Sequence, residues 1–194
     1  LVLINISEIL SNIMVRYNLI ERKDLEIYNY GWYQLLILII NIGIIFILGI
    51  ITKEIISLII YLTMFSFLRS YAGGYHALTA RRCFAINVFS YIFVILIIKY
   101  TSVDAYLFWI LLCFSSVIII GLSPVASCNK PLDLIEIKKY RKMTIIIWLI
   151  ESSILLFLRY LQFNKTAMCI LMAQLTVSLA LILGKIAEGR SKNI

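Results

Sequence analysis

Leu68-Arg69-Ser70-Tyr71-Ala72-Gly73-Gly74-Tyr75-His76-Ala77-Leu78-Thr79-Ala80-Arg81-Arg82-Cys83 is a short hydrophilic interruption between two long apolar runs. It holds the single histidine of 194 residues and one of four cysteines. A lone His close to a Cys, in a chain that otherwise reads as hydrocarbon, suggests a nucleophile and its base. Gly73-Gly74 lets the backbone turn just ahead of the histidine, because glycine accepts positive φ without a side-chain clash. Geometry constrains the pair. On one straight helix, residues seven apart stand about 10 Å apart along the axis, whereas a base must come within about 3 Å of the proton it takes. The chain must therefore fold back between His76 and Cys83, and Thr79 is placed to cap the helix that carries Cys83.

The runs on either side set the fold class. Hydrophobic residues make up 62% of the chain and charged residues 14%, against roughly 45–50% and about 25% in soluble domains. Six segments approach the roughly 20 apolar residues that cross a bilayer, at 32–52, 54–72, 84–100, 103–123, 144–160 and 166–184. Ahead of them, Ile6, Ile9, Leu10, Ile13, Met14 and Tyr17 recur at helical spacing opposite Glu8, Ser11, Asn12 and Arg16. This predicts an amphipathic helix, either lying along the membrane surface or packed on the protein. The expectation is an all-α polytopic membrane protein forming one domain over 1–194. Residues 1–30 would be interfacial and 32–184 the transmembrane bundle.

The net charge of +8 does not point to nucleic acid, because the basic residues lie between apolar runs. With both termini on one side, that side collects fourteen of the eighteen, including Arg69, Arg81, Arg82 and the Lys138–Lys142 cluster. The other face keeps Lys53, Lys99, Arg159 and Lys165. Positive loops stay in the cytoplasm, so both termini and the His–Cys segment are expected to face inward. The cysteines at 83, 113, 128 and 169 make no CxxC pair and no zinc site with one histidine. Cys113 and Cys169 read as packing residues, and Cys128 lacks a neighbouring base.

Arg81, Arg82 and a helix N-terminus would place positive charge around Cys83, the setting in which cysteines act as nucleophiles. Asn87 follows Cys83 by one turn on the same face, where it either orients the imidazole or makes a polar contact between helices. Glu151 is the one acid well inside a predicted span, which suggests a structural or proton-related role. Lys138, Lys139, Arg141 and Lys142 form a basic cluster at the membrane edge. It reads as an anchor on anionic lipid or as a dock for an acidic peptide tail.

Arg69, Gly73-Gly74-Tyr75-His76 and Cys83 together resemble the signature of the accessory gene regulator protein B family. The loop Ser123-Pro124 to Asn129-Lys130-Pro131-Leu132 and the hydrophobic layout of nearly the whole chain resemble it too. These are membrane cysteine endopeptidases of Gram-positive bacteria that process a quorum-sensing pro-peptide. The resemblance implies Cys83 as nucleophile and His76 as base, supported by Arg69, Gly73, Gly74 and Asn87, with no metal or cofactor. It implies a pro-peptide substrate, a thioester intermediate, cyclisation to a thiolactone or lactone, and a homodimer in the bacterial cytoplasmic membrane. The competing class is a small-peptide exporter or membrane scaffold in which His76 and Cys83 are incidental.

The charge asymmetry makes a topology prediction. An impermeant maleimide should label single cysteines engineered near Asp104 and Asn164 in intact cells. Sites near Leu78 and Ile135 should react only after lysis, and external labelling at 78 would reverse the orientation.

Overall fold

The computed structural model describes residues 2–75, 80–101, 104–125 and 133–191. These form α1 (Val2–Arg16), a 3-10 turn (Arg22–Asp24) and α2 (Leu25–Thr52), followed by α3 (Ile55–Ala72) and α4 (Ala80–Tyr100). Then come α5 (Ala105–Leu122), α6 (Leu134–Tyr160) and α7 (Asn164–Ser191). Helices α2 to α7 are each long and apolar enough to cross a membrane, so the architecture is the expected all-α polytopic one. The chain divides into two compact units, 1–47 and 48–194, with α2 contributing to both.

In the first unit, the covered face of α1 is its serines. Ser7 and Ser11 are buried while Ile6, Ile9 and Ile13 are exposed. Both hydroxyls are satisfied within the helix, Ser7 Oγ on Ile4 O at 2.8 Å and Ser11 Oγ on Ser7 O at 2.9 Å. The Trp32 indole N–H donates to the Met14 sulfur at 3.3 Å. Ile6, Ile9 and Ile13 are left uncovered by protein, while Met14 of the same face meets Trp32.

The second unit is built around α7. Eight consecutive residues, Ala167 to Gln174, are buried, and a helix buried all round lies at the middle of its bundle. Helices α3, α5 and α6 flank it, and α4 packs more lightly. Hydropathy does not decide this arrangement, because in lipid a leucine gains little by turning inward. Close approach decides it. The covered side of α7 offers Ala167, Ala173, Gln174, Ser178 and Gly184, whereas Trp109, Ile110 and Val117 of α5 face outward. Tyr61 of α3, fully buried, donates to Thr176 Oγ1 at 3.2 Å and lies 3.4 Å from Ser90 Oγ, joining α3 to α7 and α4.

At the end of this unit where α3 and α7 begin, a polar clasp ties four elements. Lys165 Nζ donates to Glu54 Oε1 at 2.5 Å and Ser57 Oγ to Glu54 Oε2 at 2.7 Å. Lys99 Nζ donates to Thr52 O at 3.2 Å. The turn between α2 and α3 is tight because Gly49 allows it: a Cβ there would lie 2.9 Å from Ile55 Cα. Burial alone would raise the Glu54 carboxyl. Hydrogen bonds from Lys165 and Ser57 and the charges of Lys165 and Lys99 outweigh it and hold the group below its ordinary value of 4.5.

A carboxyl lowered in the folded state contributes stability above its unfolded pKa, and loses it as pH falls through the folded one. The purified protein in detergent should therefore lose thermal stability as the pH is lowered below about 4.5, with a smaller loss in Glu54→Gln. Because the lysine is half exposed, Lys165→Met should cost on the order of 1 kcal/mol at neutral pH.

Candidate active site

The interrupting stretch is shaped first by glycine. α3 ends on Gly73 at φ +71°, whose N–H donates to Arg69 O at 3.1 Å, and Gly74 follows at φ +116°. Both values lie where side-chain-bearing residues are strained. The backbone then crosses α7. Gly74 N–H donates to Val125 O at 3.1 Å, Val125 N–H to Ala72 O at 3.0 Å, and Tyr75 N–H to Ala180 O at 2.8 Å. The segments after α3 and α5 thus pair in parallel and share α7 as a floor. No side chain fits between them. A Cβ on Gly73 would strike the Val125 carbonyl, one on Gly74 would lie 2.8 Å from Ala180 O, and one on Gly184 would lie 2.6 Å from Tyr75 N.

Arg69 locks this segment from the last turn of α3. Its guanidinium donates from Nη1 to Gly73 O and from Nη2 to Tyr75 O, a fork across three residues that fits its planar donor geometry. The same guanidinium is an electrostatic neighbour of Cys83. Cys83 is the fourth residue of α4, a half-buried free thiol, and Asn87 stands half-buried one turn further on. Arg69, Gly73, Gly74, Cys83 and Asn87 therefore gather at one end of the bundle. His76 and Thr79 lie outside the described residues; α4 itself starts at Ala80.

The basic cluster is placed differently from the expectation. The fifth span was expected from 144, with the basic residues ahead of it, but α6 begins at Leu134 and carries them on its first turns. The reason is a local start signal at Asp133, whose N–H donates to the Glu136 carboxylate at 3.2 Å, capping the helix start. Lys138, Lys139, Arg141 and Lys142 are all exposed. The Tyr140 ring lies 6.0 Å from that of Tyr71 on α3, so the cluster flanks the Arg69 end. Asn129 to Leu132 and Cys128 lie outside the described residues. Cys169 is buried as expected, with Sγ on Lys165 O at 3.2 Å. Cys113 instead faces outward from α5, a correction that follows from α5 turning its apolar bulk to lipid.

Three contributors were missed in the sequence: Val125, Ala180 and Gly184. The signal for Gly184 was present, since it is the one glycine within the apolar part of α7, and glycine there suggests close backbone approach. The backbone roles of Val125 and Ala180 leave no mark on residue type.

A family model described as accessory gene regulator B matches residues 7–182. The chain belongs to this family. The match takes in the Arg69–Cys83 stretch and the basic turns of α6, and ends just short of Gly184. An AgrB-like protein of Clostridium perfringens is 28% identical over 150 residues, covering 71% of this chain and 69% of the relative. No solved structure matches. AgrB membership supports a role in processing an autoinducer peptide for quorum sensing.

The close approach at α7 predicts a position-specific cost. Gly184→Ala should destabilise the detergent-solubilised protein by roughly 1–3 kcal/mol, read as a lowered thermal midpoint. Gly121→Ala and Gly189→Ala, where a Cβ would meet nothing within 4 Å, should leave the midpoint nearly unchanged.

Proposed function

We propose that this AgrB protein is a membrane-embedded cysteine endopeptidase, acting on the cytosolic side on a short autoinducer pro-peptide. The observation that carries the reading is Arg69. Its guanidinium holds the Gly73–Tyr75 backbone, the residues just before His76, and is an electrostatic neighbour of Cys83 at the start of α4. One side chain thus holds the segment that leads into the histidine and lies within electrostatic range of the thiol.

His76 takes the Cys83 thiol proton, and the thiolate attacks the carbonyl at the end of the future ring. The tetrahedral intermediate collapses as the C–N bond breaks, and His76 returns the proton to the departing amine of the C-terminal tail. The product is a thioester on Cys83. A thiol or hydroxyl within the bound peptide then attacks that thioester, closes a thiolactone or lactone, and releases the Cys83 thiolate for reprotonation. Thioester exchange is nearly balanced, so proximity of the peptide's own nucleophile favours it over water.

In this reading Asn87 supports the imidazole or the developing oxyanion. Lys138, Lys139, Arg141 and Lys142 attract an acidic tail of the pro-peptide, and the same face attracts anionic lipid. Residues 32–184 work as one transmembrane bundle, in a homodimer, with both termini and the site in the cytosol of the bacterial membrane.

A processing assay in membranes tests this. Cys83→Ala should abolish cleavage, while Cys113→Ala, Cys128→Ala and Cys169→Ala leave it largely intact. Near wild-type cleavage by Cys83→Ala would remove the nucleophile assignment. In the same assay, changing the four basic residues of α6 to Gln should raise KM and spare kcat, because a remote contact acts on ground and transition states alike.

A further inference from the structure

Past the end of α1, Asn18 stands in the left-handed region at φ +55°. Its N–H donates to Val15 O at 3.0 Å, and Leu19 N–H donates to Met14 O at 2.9 Å. Asparagine tolerates that conformation, and the paired bonds close the helix. The chain then turns through Arg22–Asp24 into α2. The elbow so formed lies wholly within the first unit and holds two cavities of opposite character. One, of about 1070 Å³, is lined by Asn12 and Arg16 of α1, by Asn18 and Arg22 of the turn, and by Ile20 and Leu25. Its volume is at the upper end of the roughly 300–1,000 Å³ of small-molecule sites. The other, of about 380 Å³, opens one turn further along α2, between Met14 and Tyr28, Gly31, Trp32 and Leu35.

The first cavity carries uncompensated positive charge. Neither the Arg16 nor the Arg22 guanidinium has an ion-pair or hydrogen-bond partner among the described residues. The one carboxylate in its lining, Glu21, is taken by Lys23 Nζ at 2.7 Å. Two planar forks and two side-chain amides around one space are donors suited to the oxygens of a phosphate. The second cavity is apolar by contrast. The Trp32 N–H in its wall already donates to the Met14 sulfur, and Gly31 leaves room, since a Cβ there would meet nothing within 4 Å. The level in the membrane fits as well. Tyr28, Tyr30, Trp32 and Tyr33 occupy the first turns of α2, ahead of the unbroken apolar run from Leu35 to Ile40. Aromatic residues of this kind gather at the headgroup boundary. The arginine cavity therefore precedes that boundary on the water side, and the apolar cavity runs across it.

We propose that this elbow is a binding site for one anionic phospholipid, its phosphate held by Arg16 and Arg22 and one acyl chain lying along Gly31 beside Trp32. A free phosphate or an acidic peptide would fill the polar cavity and leave the apolar one empty. A phospholipid supplies both halves, and it is the molecule that surrounds the elbow at this level. Bound there, it pins the end of α1 to the membrane surface. The site shares no residue with the basic turns of α6, and the inference stands without the peptidase assignment.

Native mass spectrometry of the full-length protein in detergent, mixed with equal amounts of phosphatidylglycerol and phosphatidylcholine, tests it. The wild type should retain a single phosphatidylglycerol in preference to phosphatidylcholine. R16Q/R22Q should weaken that adduct roughly tenfold, the effect of losing hydrogen bonds to a charged group. G31L, which fills the apolar cavity, should weaken it as well. No preference in the wild type, an adduct that survives R16Q/R22Q or G31L unchanged, or full displacement by an equal concentration of inorganic phosphate overturns the site. So does a preference lost only when Lys138, Lys139, Arg141 and Lys142 become Gln, which moves the lipid to α6. In W109F/W148F, Trp32 is the sole tryptophan, and phosphatidylglycerol with brominated chains should quench it at near-equimolar ratios. An unquenched Trp32 overturns the groove, and that arm reads out even if the arginine variant fails to fold.

Discussion

The hydrogen bond from Tyr75 N–H to Ala180 O is the contact on which the functional end depends. It takes a carbonyl on the bundle's central helix and uses it to anchor a chain segment that has just left α3. Because the contact is backbone to backbone, it tolerates no side chain in between. That explains glycine at 74 and 184, while Gly73 is required by the neighbouring Val125 carbonyl. Arg69 then closes the segment from the other side. Two rigid helices and one guanidinium thereby fix the residues that lead into His76, and α4 brings Cys83 into the field of the same guanidinium.

A membrane interior changes what counts as a core. In water the greasiest helix would be buried; here α7 is buried although α5 is more uniformly apolar. Lipid receives Trp109, Ile110 and Val117 of α5, and the bundle keeps residues of α7 that permit close packing or pair polar groups. Tyr61, Thr176 and Ser90 form one such pairing, and Glu54, Lys165 and Ser57 another near the opposite end. Each buries polarity only where partners meet it.

Much of this was legible in the sequence. Run length alone gives six spans, because the bilayer imposes one length scale and backbone satisfaction leaves the helix as the local solution. The unusual stretch from Arg69 to Cys83 stood out for the same reason: polarity inside such a chain is costly. What could not be read was mutual placement. That Val125 would lie beside Gly73, or that Lys165 would find Glu54 across 111 positions, depends on how helices cross, and apolar surfaces facing lipid carry little information about it. The start of α6 was readable but overlooked, since Asp133-x-x-Glu136 is a capping signature hidden by the basic residues that follow.

The lengths of the helices also set levels relative to the membrane. α3 and α5 have 18 residues each, about 27 Å at 1.5 Å per residue, close to the roughly 30 Å of the hydrocarbon layer. α6 has 27, about 40 Å. The paired segments at Gly73 and Val125 therefore stop at the lipid boundary, whereas α6 overhangs it by two turns or so. A peptide lying in the headgroup layer would present its scissile region at the floor formed by α7, and any extension rising into the aqueous phase would pass the exposed cations of the overhang. On the peptidase reading proposed above, helix length alone would separate a height at which bonds are broken from a height at which charge is sensed.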